Sequence, residues 1–304
     1  MDADYIVIGA GSAGCVLASR LSEDGARVVL LEAGPKDRNP MIHIPAGVRS
    51  LLYHPNVNWN YSTEGEAGTA GRRIHWPRGK VLGGSSSING MQYVRGNAAD
   101  YDGWAQRGCI GWSYDDVLPY FRKSENYRDG GDWDYRGNSG VLEVQDARTA
   151  LPLTDCFIEA AQQAGHRLNP DYNGAKQEGV SYSQMTRKGR FRGSTASTYL
   201  ASAKSRPNLQ IETNSLATKL FSITSVVSVL PFIKVGKIGN CAQSGKCCSA
   251  VDRLTHPICC RSQASGQALT YSRLASTRCM TFRGLAVTCR IITQCGLITG
   301  SKVL

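Results

Sequence analysis

The sequence predicts an α/β fold that begins with a Rossmann-like βαβ unit, and three observations support this prediction. Two short apolar runs, at residues 5–8 and 27–31, have the length and β-branched content of strands that are buried on both faces. A glycine motif, G-x-G-x-x-G, follows the first run at Gly9, Gly11 and Gly14. Apolar residues at helical spacing then lead to the second run, so the parts of one βαβ unit occur in order.

Each glycine of the motif has its own expected role. The first lets the chain turn tightly after the strand, the second lets backbone approach a pyrophosphate, and the third lets the helix pack on the strand. The helix is predicted from Ser12 onwards, with Ala13, Val16, Leu17 and Leu21 at helical spacing. A phosphate would therefore lie at a helix N-terminus, where free N–H groups and the helix dipole favour an anion.

Glu32 ends the second predicted strand. At this distance from the glycine motif, a carboxylate accepts hydrogen bonds from the ribose hydroxyls of a dinucleotide. The same carboxylate would repel the 2′-phosphate of NADP. The motif therefore predicts binding of FAD or NAD and leaves the choice between them open.

Charge and cysteine are distributed unevenly along the chain. The net charge is +11 over 304 residues, but residues 221–304 carry ten Lys and Arg residues, eight of the 11 cysteines and a single acid, Asp252. Residues 1–220 are close to neutral, as an ordinary globular domain is. Two different compositions are thus joined near residue 220.

No secretory signal pattern opens the chain, and no apolar stretch is long enough to cross a membrane. We therefore expect a cytoplasmic protein that at most touches a membrane surface and has no transmembrane segment.

A run of small residues at 79–90, GKVLGGSSSING, would let backbone approach a flat ligand and offers hydroxyl and amide groups as hydrogen-bond partners. With YVRG at 93–96, this run resembles the first signature of the glucose-methanol-choline (GMC) oxidoreductases, a flavoprotein family. LEAG at 31–34, GWSYDDVLPYF at 111–121 and RGSTASTYL at 192–200 extend the resemblance. It covers residues 2 to about 220 and is strongest to the choline-dehydrogenase-like alcohol dehydrogenases.

The resemblance implies an FAD-binding domain with an interleaved substrate-side α+β portion at about 97–190. It also implies FAD, held non-covalently or through a histidine in the first-signature region, and because the matching positions hold Ser and Ile we expect non-covalent FAD. It further implies oxidation of the CH–OH group of a small-molecule alcohol and transfer of hydride to flavin N5. The alcohol and the electron acceptor stay open. The resemblance implies contacts with each part of FAD. The pyrophosphate would lie at Gly9, Gly11, Ser12, Ala13 and Gly14, Glu32 would bind the adenosine ribose, and Ala33 next to it is a further cofactor position. The flavin would lie at Val81, Gly84, Ser86, Asn89, Gly90 and Met91, and the backbone of Ala217 would face adenine.

Three further elements are predicted between the signature and residue 220. Residues 113–127 have the pattern of a helix that Ser113 caps, with Asp115 and Asp116 in its first turn. A second helix is predicted at 154–165, ending at a glycine, and a strand at 208–216.

No catalytic residue is assigned. In the family, a histidine near the C-terminus acts as the base, and none of the five histidines falls in that motif: His43, His54, His75, His166 and His256. We also expect no metal site, because the adjacent cysteine pairs at 247–248 and 259–260 lack the paired C-x2-C spacing of zinc sites. A disulfide framework is equally disfavoured in a cytosolic domain.

We interpret residues 221–304 as a poorly ordered tail whose codons are read out of frame. In the shifted frame, residues 253–267 can spell SINSPNLLQVTGIGP and residues 276–293 can spell DPVHDLPGVGRNLQDHY, which resemble the family's second signature and a downstream flavin-contact segment. The tail would then add no strands, so the flavin sheet would be incomplete with an unpaired edge. Its charge would say nothing about nucleic acid, and no nucleic-acid partner is expected. The alternative function is a truncated, non-catalytic remnant that at most binds FAD.

Overall fold

The structure is a computed structural model that describes residues 2–147 and 151–218 and the backbone of strands 221–223, 226–234 and 237–249. Its helices are α1 Ser12–Leu21, α2 Pro40–His43, α3 Val48–Leu51, α4 Ala98–Gln106, α5 Tyr114–Ser124, α6 Pro152–Gln163 and α7 Ala201–Ala203. Its strands are β1 Asp2–Ile8, β2 Val28–Leu31, β3 Tyr61–Ser62, β4 His75–Trp76, β5 Glu125–Tyr127, β6 Leu142–Asp146, β7 Gln184–Lys188, β8 Phe191–Arg192, β9 Leu209–Glu212, β10 Ser215–Ala217, β11 Phe221–Ile223, β12 Val226–Lys234 and β13 Lys237–Ser249.

The main sheet has the order β10-β12-β13-β1-β2-β9, with β11 paired to β12. Strand β1 runs parallel to β2, and β2 runs parallel to β9, so the carboxyl ends of these three strands lie at one edge. The predicted α/β fold with a βαβ unit at the start of the chain is confirmed. The edge where β1 and β2 end is the place at which such sheets bind ligands.

Helix α1 packs on this sheet through its small residues. Cys15 and Ala18 belong to a buried apolar cluster with Val7, Leu30 and Tyr199. All four residues of β2 are buried, as expected of a parallel strand that is covered on both faces. The helix is thereby held with its N-terminus at the carboxyl end of β1.

The strands after residue 220 differ from the sequence-based expectation. We expected residues 221–304 to add no strand, whereas β11, β12 and β13 all lie between residues 221 and 249. Strand β13 pairs in parallel with β1 from Asp2 to Ile8, so β1 has a neighbour on each side. The sheet is open, but β1 is an inner strand of it and not an edge strand. Residues 250–304, on which most of the frameshift hypothesis rests, lie outside the described residues.

Three other predicted elements have different boundaries in the structure. The helix predicted at 113–127 ends at Ser124, because residues 125–127 form β5 and pair with β6. The strand predicted at 208–216 is divided into β9 and β10 at Asn214, which has a positive φ of 53°. Asparagine is one of the few residues that adopt this left-handed conformation readily. The helix predicted at 154–165 is α6, displaced by two residues.

A second sheet, of order β5-β6-β7-β8, is held by a buried ionic network. The Glu125 carboxylate is 2.6 Å from Arg95 Nη2 and 2.5 Å from Arg136 Nη2, and its side chain is 0% exposed. Gly137 N–H also donates to Glu125 Oε2 at 2.9 Å. The two guanidinium groups thus share one carboxylate that is removed from solvent.

The chain divides into two compact units. One comprises residues 1–95 and 120–252, and the described part of the other is residues 96–119. In this second unit Ser113 and Asp116 cap the start of α5 reciprocally, because each backbone N–H donates to the other side chain. The predicted domain limits, with an insertion at about 97–190, stay a prediction.

Candidate functional site

The predicted glycine motif forms the turn between β1 and α1. Gly9 has a φ of 88°, in the region that favours glycine, and its N–H donates to the carbonyl of Leu31 at 2.8 Å. Gly11 is the N-cap of α1, and no side chain caps this helix end. Ser12 and Ala13, the first two helical residues, are exposed. The helix therefore presents its first N–H groups to a ligand rather than to a capping side chain.

The space next to Gly11 is open. A Cβ atom built on Gly11 meets no atom of the described chain within 4 Å. On Gly84, by contrast, a Cβ atom would lie 2.6 Å from Gly11 Cα, and Gly84 has a φ of 52°. Gly84 is thus a glycine because the two loops touch. A Cβ atom on Gly11 would meet no such neighbour among the described residues, so packing within the described chain does not require a glycine there. The contact of Gly11 with a pyrophosphate stays a prediction.

Glu32 lies at the end of β2 and holds this turn in place. Its Oε2 atom accepts from Ala10 N–H and its Oε1 atom from Gly34 N–H, both at 2.8 Å, and the residue is 5% exposed. A carboxylate oxygen has more than one lone pair, so these bonds leave acceptor capacity for ribose hydroxyls. The structure thus gives Glu32 a role in shaping the turn that sequence reasoning did not predict, and its ribose contact stays a prediction.

Burial raises the pKa of Glu32 from 4.5 to about 7, although the N–H groups of Gly34 and Ala10 and the charge of Lys80 act in the opposite direction. A carboxyl whose folded pKa is raised stabilises the fold fully below its unfolded pKa and loses that contribution as the pH rises through the folded value.

We therefore expect the free energy of unfolding of the flavin-free protein to fall between pH 4.5 and about 7, with Glu32 contributing at most about 3 kcal/mol of that fall. Urea unfolding of the unmodified chain and of Glu32→Gln at pH 5 and pH 7.5 measures it. The variant should show a smaller fall than the unmodified chain, and equal falls would contradict the buried, protonated carboxyl.

The loop of residues 83–91 comes next to the glycine turn. Gly83 N–H donates to Ala10 O at 2.7 Å, which joins the two loops directly. Ser86 Oγ donates to Gly83 O at 2.5 Å and accepts from Thr195 N–H at 3.1 Å. Asn89 and Gly90 are exposed beyond this anchor. The loop is therefore fixed at Ser86 and offers its backbone to a ligand further along.

Arg192 supports the same loop from behind. It is 1% exposed, and it donates from Nη1 to Asn89 O at 2.6 Å and to Asn89 Oδ1 at 2.9 Å. Its Nε atom donates to Ile42 O at 2.7 Å. Met91, with a positive φ of 63°, closes the turn by donating its N–H to Asn89 Oδ1 at 3.0 Å. Asn89, Gly90 and Met91 therefore form one fixed turn.

The other predicted cofactor residues lie in different settings. Ala33 is half-buried between Glu32 and Gly34. Val81 is 0% exposed in an apolar cluster with Ile42, Leu51, Val57 and Ile88. Ala217 lies in β10 and packs against a cluster that includes Ile6 and Val29. Gly14 is buried in α1. The cofactor contacts of these residues stay predictions.

Several residues of this region were missed by sequence reasoning, namely Ala10, Gly83, Thr195, Arg192 and Cys15. The segment at 192–196 contributed to the family resemblance, and that was the one available signal for Arg192 and Thr195. The thiol of Cys15 donates to Ala10 O at 3.2 Å, and burial raises its pKa to about 12. Cys15 is therefore a protonated packing residue beneath the turn and not a nucleophile.

The histidines of the described chain lie at separate places. His43 ends α2, His54 lies on a loop, His75 begins β4, and His166 is exposed after α6. His43 Nε2 is 2.7 Å from Asp37 O, and His75 stacks on Tyr53 with ring centroids 4.4 Å apart. His54 Nε2 lies 3.5 Å from Asn39 Nδ2. The assignment of no catalytic residue stays a prediction, and His256 lies outside the described residues.

In the part of the chain that the structure describes, no group of three or more His, Cys, Asp or Glu side chains is arranged to hold a metal ion. Within it, too, no helix combines the length and the apolar character that crossing a membrane requires.

An open, mixed sheet with parallel β1, β2 and β9, a glycine turn with an uncapped helix N-terminus, and an acid at the end of the next strand are the features of the dinucleotide-binding α/β fold. The GMC oxidoreductase family model matches residues 3–251. The chain therefore belongs to the GMC oxidoreductase family. The match extends past the predicted boundary at residue 220, and both shifted-frame strings lie beyond its end.

Curated relatives agree with this family. The chain is 49% identical over 211 residues to the oxygen-dependent choline dehydrogenase of Vibrio vulnificus, which covers 68% of this chain and 38% of the relative. It is 48% identical over 242 residues to the mitochondrial choline dehydrogenase of Homo sapiens, which covers 77% of this chain and 40% of the relative. The chain thus spans about 40% of the length of these relatives.

Two solved structures of oxidoreductases are similar to this chain over most of its length. Pyridoxine 4-oxidase from Mesorbium loti superposes with a TM-score of 0.76 at 32% identity, covering 81% of this chain and 49% of that one. An FAD-dependent oxidoreductase from Chaetomium thermophilum superposes with a TM-score of 0.77 at 27% identity, covering 84% of this chain and 46% of that one. Family membership and these neighbours imply that the chain binds a flavin.

Proposed function

We propose that this chain supplies the FAD-binding part of an oxidoreductase that acts on the CH–OH group of a small alcohol. The observation that carries the proposal is the open space at Gly11, which adjoins the uncapped N-terminus of α1. The residues present fit FAD, because the exposed N–H groups at Ser12 and Ala13 suit a pyrophosphate and the nearby Glu32 carboxylate suits a ribose.

The chain's own residues would bind and orient the cofactor. The N–H groups at the start of α1 would hold the pyrophosphate, and Glu32 would accept from the ribose while it keeps the turn closed through Ala10. The turn at residues 89–91, held by Arg192, would present its backbone to the flavin ring. Bound FAD would supply the acceptor, at flavin N5, for the hydride that the alcohol carbon loses on oxidation.

For the substrate we propose a choline-like alcohol, which rests on the relatives named choline dehydrogenase. Pyridoxine, the substrate in the name of a structural neighbour, is the second alcohol to test. None of the groups described at the site is assigned the role of base. The proposal therefore covers cofactor binding by this chain and leaves proton removal to a group that is not identified here.

A second candidate function is flavin binding without turnover. It is favoured by three of the histidines, because His43, His54 and His75 are each engaged with another group of the described chain. A base for the alcohol hydroxyl would need hydrogen-bond reach of the substrate.

Anaerobic mixing of the FAD-loaded full chain with choline tests both candidates. We expect loss of the visible absorbance of oxidised flavin with choline and no loss with tetramethylammonium, a control with the same cationic head and no CH–OH group. Reduction by neither choline nor pyridoxine in a chain that retains FAD would favour the second candidate. Failure to retain FAD would overturn both.

A further inference from the structure

Residues around Arg192 form a cationic cavity that none of the predicted cofactor residues lines. The cavity has a volume of about 740 Å³ and is lined by Arg38, Pro40, His43, Ile44, Lys188, Phe191, Arg192 and Ser197. Two of its sides are short segments, the loop and helix at 38–44 and the hairpin that joins β7 to β8. No Asp or Glu side chain is among these lining residues.

The charge of Arg192 is uncompensated within the described chain. Its three nearest acceptors, Ile42 O, Asn89 O and Asn89 Oδ1, are neutral, and no carboxylate of the described residues forms an ion pair with it. Its Nη2 atom is buried and has no hydrogen-bond partner among those residues. Burial accordingly lowers the pKa of Arg192 to about 10. A buried cation without a counter-ion is costly, and an anion in the adjoining cavity would offset that cost.

The mouth of the cavity combines charge with apolar surface. Arg38 and Lys188 are exposed cations there, while Phe191 is 59% exposed and Ile44 is 41% exposed. Phe191 and Lys188 face each other across the hairpin as register partners. A ligand that satisfied both kinds of surface would carry an anionic group on an apolar body.

We propose that this cavity binds a small amphipathic anion, a carboxylate or phosphate group attached to an apolar chain or ring. The anionic group lies between Arg38, Lys188 and the buried charge of Arg192, and the apolar body covers Ile44 and Phe191. The chain's own tail is a poor occupant, because residues 250–304 contain one acidic side chain, Asp252. The cavity shares Arg192 with the support of the flavin loop but includes none of the predicted cofactor residues, and the proposal does not depend on the proposed function.

Calorimetric titration of the FAD-saturated full chain with octanoate tests the proposal, because excess FAD prevents octanoate from entering an empty flavin site. Octanamide lacks the charge and acetate lacks the apolar chain, so each serves as a control ligand. We expect octanoate to bind at least about tenfold more tightly than either control.

The double variant Arg38→Gln/Lys188→Gln should weaken octanoate binding about tenfold or more. The matched double variant Lys123→Gln/Lys204→Gln removes the same net charge from exposed positions outside the lining and should change binding by less than about twofold. Both leave Arg192 and the flavin loop intact. Octanoate that binds no better than octanamide, or equal losses in the two double variants, would overturn the proposal.

Discussion

Replacing Gly11 by alanine should remove FAD binding while the protein stays folded. The new methyl group meets no atom of the described chain within 4 Å, and Gly11 has a φ of −75°, which alanine adopts without strain. We therefore expect the free energy of unfolding to change by no more than about 1 kcal/mol. The methyl group would instead enter the space that a pyrophosphate needs, and FAD affinity should fall about 100-fold or more.

Two other glycine variants make this result specific. Gly68→Ala also adds a methyl group that meets nothing within 4 Å, far along the chain from the motif, and should leave both stability and FAD affinity unchanged. Gly84→Ala should lower both, because its methyl group would press on the backbone of Gly11 and its φ of 52° disfavours alanine. Flavin fluorescence titration and urea unfolding measure the two quantities. A Gly11→Ala protein that binds FAD normally would contradict the assignment of the pyrophosphate site.

Replacing Glu125 by glutamine should lower the free energy of unfolding by about 3 kcal/mol or more. Glu125 is fully buried between Arg95 and Arg136, at 2.6 Å and 2.5 Å. The neutral amide would leave two buried guanidinium groups without their shared carboxylate, and removing one partner of a buried ionic network is far more costly than removing a surface pair.

Glu143→Gln is the matched control for this second prediction. Glu143 pairs with Arg128 at 3.6 Å, and that arginine side chain is 51% exposed, so the change should cost less than about 1 kcal/mol. Urea unfolding of both variants compares the two costs. Equal costs would show that the network around Glu125 does not stabilise the second sheet.

Local pattern was enough to predict the βαβ unit. The strands, the glycine turn and α1 all lie within residues 2–31. The spacing of apolar residues in this stretch indicates both the elements and the faces that they bury. The site residues Gly9, Gly11 and Glu32 come together for the same reason, since each ends or begins one of these elements.

Long-range contacts could not be predicted in this way. Ser86 meets Thr195, and Asn89 meets Arg192, over more than 100 residues of chain. The end of α5 at Ser124 depends on the pairing of β5 with β6, which no local pattern shows. The strands at 221–249 were missed because charge, cysteine content and the shifted-frame strings led to the prediction of an out-of-frame tail, whereas pairing with β1 is a backbone interaction.

Equilibrium titration of the full chain, freed of flavin, with FAD tests the central claim most directly. We predict saturable binding of one FAD per chain that ADP weakens by competition, because ADP carries the ribose and pyrophosphate for which Glu32 and the start of α1 are arranged. Binding that does not saturate, or that ADP leaves unchanged, would contradict the assignment of this turn as the cofactor site.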